Sequence, residues 1–137
     1  MTYERVVRFE DVDVVQIVFF ARYLNYCHEA MEAFFEPLNG GYVDLITKRR
    51  IGFPAVHADV TYASPLRYGD RVQIRTSVEK IGNTSVTFRY EMFNATSQLT
   101  AAVVKHTCVV TDLTVLKKVT AIPGDVRALL EAHYAPA

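Results

Sequence analysis

Apolar residues recur at every third or fourth position between Phe20 and Leu38, and this spacing predicts a long amphipathic helix. Charged and amide side chains fill the opposite face, and Gly40-Gly41 follows as a stop signal. A helix of this kind buries its apolar stripe against another layer of the protein. The stripe consists of Tyr23, Cys27, Ala30, Met31, Phe34, Phe35 and Leu38.

Alternating apolar and polar residues predict strands on both sides of this helix. One strand is expected over residues 2–9, and four strand-like stretches follow the helix. Residues 42–50 are compatible with a short helix, and Pro123 predicts another near the C-terminus. The four stretches span residues 56–62, 71–80, 84–93 and 100–111. The predicted inward-facing residues are Val72, Ile74, Thr76 and Val78 in the second stretch and Val86, Phe88, Tyr90 and Met92 in the third.

The order of the elements predicts a two-layer α+β fold, because one long helix lies between a first strand and an antiparallel meander of four strands. A chain of 137 residues is expected to form a single domain, residues 1–137. Hydrophobic residues make up 50% of the chain, which is high for a small monomer. We therefore expect another subunit to cover part of the surface.

The charge balance and the cysteines exclude several classes of protein. Lys plus Arg equals Asp plus Glu, whereas nucleic-acid-binding proteins usually carry a basic excess. No apolar run approaches the roughly 18 residues of a membrane span, and residues 1–5 lack a signal-peptide core. Cys27 and Cys108 lie far apart in apolar surroundings, which is typical of buried small hydrophobic residues. We expect a cytoplasmic protein that binds neither nucleic acid nor membrane.

The acidic turn Glu10-Asp11-Val12-Asp13 runs directly into the apolar segment that opens the helix. Between Ile17 and Ala21 no Ser, Thr, Asp or Asn is present to cap the first N–H groups of the helix. Uncapped N–H groups beside a carboxylate can hold the oxygen of a carbonyl under attack. Asp13 would then face the carbonyl carbon, which predicts an acyl-transfer site. The alternative is that Asp13 is a cap or a solvated turn residue.

Two segments of the chain, in this order, resemble the 4-hydroxybenzoyl-CoA thioesterase family of the hotdog fold. The first is Arg-Phe-x-Asp-x-Asp at residues 8–13, followed by Arg-Tyr-Leu at residues 22–24. The second is Tyr-Ala-Ser-Pro-Leu-Arg-Tyr-Gly-Asp at residues 62–70. The resemblance implies a curved antiparallel sheet wrapped around one long central helix. It also implies an acyl-CoA thioesterase that hydrolyses an acyl or aroyl thioester to the free acid and coenzyme A.

The resemblance assigns roles to residues around the turn. The family's catalytic carboxylate aligns with Asp13, acting as nucleophile or general base, and the backbone N–H that donates to the thioester oxygen falls near Phe20. Gln16 stands where many members carry glycine, and some long-chain acyl-CoA thioesterases of the family have glutamine there. The identity of the acyl group is therefore not transferred. The expected substrate-binding residues at this place are Gln16, Ile17, Phe19 and Tyr23.

Glu10 and Asp11 are interpreted as turn residues at a dimer surface. On this interpretation Asp11→Asn removes only a charge next to Asp13 and lowers activity less than about tenfold.

Coenzyme A carries phosphates, which need basic or amide donors. The hairpin before the fourth predicted strand carries one charged residue, Lys80, and the backbone around Gly82 and the hydroxyl of Thr84 are further donors. Lys117 and Lys118 are other candidates. An acyl-carrier-protein substrate remains an alternative to acyl-CoA.

No His-x-x-His, Cys-x-x-Cys or Glu-x-x-His spacing occurs, so we predict neither a metal site nor a bound cofactor. The sequence also lacks Gly-x-Ser-x-Gly, which disfavours a serine hydrolase. His28, His57 and His106 are expected to be structural.

Hotdog subunits pair their sheets edge to edge and build the active site between protomers, so the resemblance implies a homodimer or homotetramer. Two alternatives to hydrolysis remain at this point. One is a non-catalytic acyl-thioester-binding protein, which would bind acyl-CoA without turning it over. The other is a hotdog dehydratase, which would need a histidine such as His57 with an acidic partner.

Overall fold

The computed structural model describes residues 1–115 and 118–137. The strands are β1 (Thr2–Val6), β2 (Ile51–Gly52), β3 (Ala55–Tyr62), β4 (Arg71–Ile81), β5 (Ser85–Asn94), β6 (Leu99–Val109), β7 (Thr111–Asp112) and β8 (Lys118–Val119). The helices are α1 (Arg22–Phe34), α2 (Gly41–Thr47) and α3 (Gly124–Ala132), and a 3₁₀ turn spans Phe9–Asp11. Among the described helices, none has the length and apolar character needed to cross a membrane.

Five strands form one antiparallel sheet in the order β1-β4-β5-β6-β3, and α1 packs against one face of it. The predicted α+β architecture is thereby confirmed. Bulges shift the register in the β3–β6, β4–β5 and β5–β6 pairs. Because bulges bend a strand and increase its twist, they favour a sheet that curves around the helix.

The predicted meander is correct for β4, β5 and β6 but wrong for β3. β3 pairs with β6 at the sheet edge, whereas β1 pairs with β4 at the other edge. Residues 63–70 connect β3 to β4, and a connection of this length carries the chain across the sheet instead of closing a tight hairpin. The predicted strand over residues 100–111 is divided, because β7 leaves the main sheet to pair with β2 and β8.

The first strand and the long helix are both shorter than the apolar pattern predicts. β1 ends at Val6, before the 3₁₀ turn, and α1 begins at Arg22 and ends at Phe34. Pro37 has no N–H to donate within a helix, which explains why the pattern up to Leu38 is not helical. The two short helices are confirmed as α2 and α3.

The core lies between α1 and the face of the sheet that α1 covers. The inward-facing residues predicted for β4 and β5 are all buried, and so are Cys27 and Cys108. Phe34 of α1 meets Phe88 of β5 with ring centroids 5.5 Å apart. Burying a side chain of this size contributes about 1.5–3 kcal/mol to folding, so this aromatic contact is a main link between helix and sheet.

β3 is an exposed edge strand, since seven of its eight residues are exposed and only Val60 is partly buried. Its neighbour on one side is β6, and no described strand pairs with it on the other side. An edge with free N–H and C=O groups is a template for pairing with another chain.

The packing of α3 predicts a difference between two leucines. Leu130 of α3 is fully buried, whereas Leu99 at the start of β6 is 55% exposed. We expect Leu130→Ala to lower the free energy of unfolding by about 2–5 kcal/mol, because it leaves a cavity. Leu99→Ala is the matched control and should stay within about 0.5 kcal/mol of the wild type. Urea unfolding measures both, and equal losses would contradict the assignment of α3 to the core.

Candidate active site

The acidic turn folds into a tight hairpin that ends at the start of α1. Val12 and Val18 form an antiparallel bridge, and the Asp13 N–H donates to the Ile17 carbonyl at 2.9 Å. The Gln16 N–H donates a hydrogen bond to the Asp13 carbonyl at 2.9 Å, and the φ angle of Gln16 is 65°. This is the left-handed region that glycine favours, which accounts for glycine at this position in the resembling sequences. The hairpin brings Asp13, Gln16 and Ile17 together, and their roles stay predictions.

The Asp13 carboxylate is half-buried and held by one local contact. Its Oδ1 accepts the N–H of Val15 at 2.9 Å. Its second oxygen accepts no hydrogen bond from the described residues. One oxygen therefore orients the group, and the other remains available to a reacting partner.

Asp11 is buried, so its interpretation as a surface turn residue is wrong. Only 3% of Asp11 is exposed, and its Oδ2 accepts three hydrogen bonds. The donors are Arg5 Nη2 at 2.7 Å, the Arg8 N–H at 2.9 Å and the Tyr26 hydroxyl at 2.8 Å. The Arg5 guanidinium also lies 4.0 Å from the centre of the Tyr26 ring and pairs with Glu29. A charge this deep needs such partners, which the sequence pattern did not reveal.

Tyr26 was absent from the predicted apolar stripe, yet it is fully buried. Burial, together with the hydrogen bond to Asp11, raises the pKa of Tyr26 far above its usual range. The hydroxyl therefore stays protonated and remains a donor to Asp11.

The main chain of Asp11 connects the turn to the start of α1. Its carbonyl accepts the Phe19 N–H at 3.0 Å, and the Phe19 carbonyl accepts the Arg22 N–H at 2.8 Å. The buried carboxylate thus fixes both ends of the loop that carries Asp13.

The start of α1 is uncapped, as the sequence predicts. Ala21 occupies the N-cap position and makes no side-chain capping bond. The N–H groups of Phe20 and Ala21 find no acceptor among the described residues, whereas the Arg22 N–H is bonded. Free N–H groups at a helix start carry partial positive charge and suit the oxygen of a polarised carbonyl.

A cavity of about 360 Å³ opens beside this helix start. One wall comes from the loop and α1, including Ile17, Phe20 and Tyr23, and the other comes from residues 62–65. The Tyr62 hydroxyl donates to the Phe20 carbonyl at 2.7 Å, and its ring meets Tyr23 edge-on at 4.9 Å. Tyr62 belongs to the second quoted segment, but sequence reasoning assigned it no role. The Phe19 side chain is exposed and does not line this cavity.

The hairpin with Lys80, Gly82 and Thr84 lies far from Asp13 in the same chain. β4 begins beside the active-site loop, where the Val7 N–H donates to Asp70 at 2.8 Å, and runs the 11 residues to Ile81. At about 3.3 Å per residue, the hairpin is roughly 30 Å from the loop. The main-chain groups of Gly82 already have hydrogen-bond partners. Its N–H donates to the Ser85 carbonyl at 2.8 Å, and its carbonyl accepts a hydrogen bond from Arg127 Nη2 at 2.7 Å.

The other basic residues considered for phosphate binding, and His57, are not brought to this site by the described part of the chain. Lys118 is exposed on β8, and Lys117 lies outside the described residues. His57 is exposed on β3 and has no acidic partner within the part of the chain that the structure describes. His57 therefore lacks the acidic partner that a dehydratase would need. Among the described residues, the histidine that pairs with a carboxylate is His28, whose Nε2 lies 3.4 Å from Glu32 on α1, where both side chains are exposed.

Comparisons with known proteins identify relatives of this chain. The profile of the thioesterase-like superfamily matches residues 7–130. The chain is 36% identical over 108 residues to the 1,4-dihydroxy-2-naphthoyl-CoA hydrolase of Nostoc punctiforme, covering 79% of this chain and 73% of that protein. A crystal structure of a 1,4-dihydroxy-2-naphthoyl-CoA thioesterase from Synechocystis has a TM-score of 0.83 at 26% identity, covering 94% of this chain and 93% of that one. A gentisyl-coenzyme A thioesterase structure has a TM-score of 0.82 at 28% identity, covering 93% and 99%.

The burial of Asp11 predicts a stability effect that the surface interpretation did not. Asp11→Asn leaves the Arg5 guanidinium, which is 12% exposed, without its buried countercharge. Because Arg5 keeps its ion pair with Glu29, we expect the free energy of unfolding to fall by about 1.5–3 kcal/mol, the range for hydrogen bonds to charged groups, measured by urea denaturation. Asp125→Asn is the matched control, because it breaks an exposed pair with Arg49 and should cost less than about 1 kcal/mol. Equal effects of the two substitutions would refute the structural role of Asp11.

Proposed function

The chain belongs to the thioesterase-like superfamily and is a thioester hydrolase, and we propose that it hydrolyses acyl-CoA thioesters with Asp13 as the catalytic carboxylate. One observation carries the assignment of Asp13. A carboxylate with a free oxygen and an uncapped helix start are the two ends of one short loop, and the buried Asp11 holds that loop. We also propose that residues 1–137 form one hotdog thioesterase domain.

The geometry supports a simple mechanism. The thioester oxygen accepts hydrogen bonds from the N–H groups of Phe20 and Ala21. These bonds stabilise the negative charge that develops on the oxygen. Asp13 then either attacks the carbonyl carbon, giving a mixed anhydride that water opens, or takes a proton from a water that attacks. In both routes the carbon–sulfur bond breaks and coenzyme A leaves as a thiolate. A thiolate is a good leaving group, so no separate acid is required.

We propose an aromatic acyl group. The names of two relatives refer to 1,4-dihydroxy-2-naphthoyl-CoA and gentisyl-CoA, which are thioesters of hydroxylated aromatic acids. The cavity at the helix start is lined by three aromatic side chains, Phe20, Tyr23 and Tyr62, which suits a planar ring. Gln16 favours a long-chain acyl group instead, so a panel of thioesters must include one.

A homodimer joined along β3 is the proposed assembly. β3 presents an unpaired edge to which the β3 of a second copy can pair. If the two β3 strands are antiparallel, the strands of the partner's sheet run in the opposite direction to those of the first sheet. The partner's β4–β5 hairpin then comes to the end of the sheet that carries Asp13. In this arrangement Lys80 and Thr84 reach coenzyme A bound to the other subunit.

The free, buried thiols of Cys27 and Cys108 support a location in a reducing cytoplasm.

Asp13→Asn should abolish hydrolysis while fold and ligand binding remain. The amide is nearly the same size as the carboxylate, but it neither attacks the carbonyl nor accepts a proton from water. We expect kcat to fall by about a hundredfold to ten-thousandfold on the best thioester of a panel. Titration of the released thiol measures the rate.

Asp112→Asn is the matched control for this experiment. Asp112 accepts the N–H of Thr114, two residues on, at 2.9 Å, the same local contact that Asp13 makes with Val15. Its substitution should leave kcat within about twofold of the wild type, since effects of surface changes are small. Turnover by Asp13→Asn close to that of Asp112→Asn would show that the proposed site is wrong.

The dimer predicts complementation between two damaged subunits. Asp13→Asn and Lys80→Glu are each expected to be impaired alone. In a mixed dimer one site receives both substitutions and the other receives neither, so activity should recover toward half of the wild-type value. Sedimentation at micromolar concentration checks the assembly directly. A monomer, or no recovery in the mixture although Lys80→Glu raises the KM, would contradict the shared site.

A further inference from the structure

A second cavity, of about 220 Å³, lies between α1 and the sheet, farther along the helix than the active-site cavity. We call it the helix–sheet cavity. Its walls are mostly apolar: Cys27 and Met31 come from α1, and Ala58 and Val104 come from β3 and β6. An engineered apolar cavity of about 150 Å³ is enough to bind benzene, so this space accommodates an aromatic ring.

The helix–sheet cavity continues the line of the active site. Tyr23 of α1 lines the first cavity, and Cys27 and Met31 of the same helix line the second. These positions are four residues apart and so share one face of the helix. At 1.5 Å per residue, Cys27 and Met31 lie about 6 Å and about 12 Å along the helix axis from Tyr23. A ring attached to a carbonyl held at the start of α1 can extend along this face toward the helix–sheet cavity.

His106 of β6 is the polar side chain on the sheet side of this cavity. It pairs across the strands with Ala58 of β3 and Phe88 of β5, and its ring lies 6.3 Å from the Tyr90 ring. Burial lowers the pKa of His106, with a further contribution from His28, so the ring is neutral near pH 7. A neutral imidazole offers one donor and one acceptor.

The hydrogen-bonding capacity of His106 is largely unused within the described residues. The side-chain partner of its ring is Cys108, with Sγ 3.2 Å from Nε2. Burial raises the pKa of the Cys108 thiol to about 12, so the sulfur stays protonated and is a weak partner. An oxygen ligand in the cavity would give the imidazole a stronger hydrogen bond.

We propose that His106 is a specificity-determining residue that hydrogen-bonds a hydroxyl on the ring of the acyl group, at the end remote from the thioester. This inference rests on the proposed aroyl-CoA thioesterase function. It implies a preference for benzoyl thioesters with a hydroxyl at position 3 or 4. A hydroxyl at position 2 lies beside the carbonyl and does not reach the helix–sheet cavity.

The test compares kcat/KM for benzoyl-CoA and for its 2-, 3- and 4-hydroxy derivatives. We expect the wild type to favour the 3- or 4-hydroxy thioester over benzoyl-CoA by about 10- to 100-fold, since the analogue leaves a polar group unpaired. In His106→Phe this ratio should fall to near one. His106→Gln retains a donor and an acceptor and should restore part of the ratio. Urea midpoints establish that each variant is folded.

His57→Phe is the matched control, because residue 57 precedes Ala58 and its side chain therefore faces the other side of the sheet. This control should keep the wild-type ratio. The inference is overturned if the wild type shows no preference, if folded His106→Phe keeps the ratio, or if His57→Phe lowers it equally. Failure of the proposed function is a different result: the wild type would then hydrolyse none of the CoA thioesters.

Discussion

The carboxylate of Asp11 and the guanidinium of Arg5 meet inside the protein, and the geometry of the active-site loop depends on this contact. One carboxylate oxygen accepts bonds from Arg5, Tyr26 and the Arg8 main chain. Removing two charges from water is costly, and good hydrogen-bonding geometry is required to offset that cost. The contact joins β1, α1 and the 3₁₀ turn, so these three elements cannot shift independently. The loop that these elements hold at both ends is therefore constrained as well.

The two aspartates of the turn show how environment separates roles. Asp11 is 3% exposed, and its Oδ2 accepts three hydrogen bonds from its own chain, so the carboxylate is held in a structural position. Asp13, two residues later, is half-buried and keeps one oxygen free of described partners. Residues of the same type in one motif thus divide into a structural support and the proposed reactive group. A rigid support matters because a catalytic carboxylate misplaced by about 1 Å can lose a hundredfold in rate.

Much of the architecture could be predicted from the sequence, because it follows from local periodicity. The inward faces of β4 and β5, the uncapped helix start and the two buried cysteines all depend on patterns within a few residues. The position of β3 depends on partners 40 or more residues away, which periodicity does not encode. The burial of Asp11 depends on side-chain and main-chain hydrogen bonds, which periodicity does not encode either. Tyr26 fits the spacing of the apolar stripe and was overlooked in it. The hairpin with Lys80 was correctly placed on a turn, but its distance from Asp13 follows only from the length of β4. The role of Tyr62 was missed because its acceptor is a main-chain carbonyl.

The pairing of β1 with β4 has a consequence for how the chain folds. Thr2 lies opposite Arg75, and Val6 opposite Arg71, so the two strands meet across more than 60 intervening residues. Contacts this distant in sequence form slowly, since the loop between them must close first. During synthesis the residues of the active-site loop are made early, but Val7 cannot bond to Asp70 until about half of the chain has emerged. The nascent chain therefore carries its exposed apolar loop, with Val14 and Phe20, without the strand that later orders it. In that interval the loop is a site where chaperones or aggregation compete with folding.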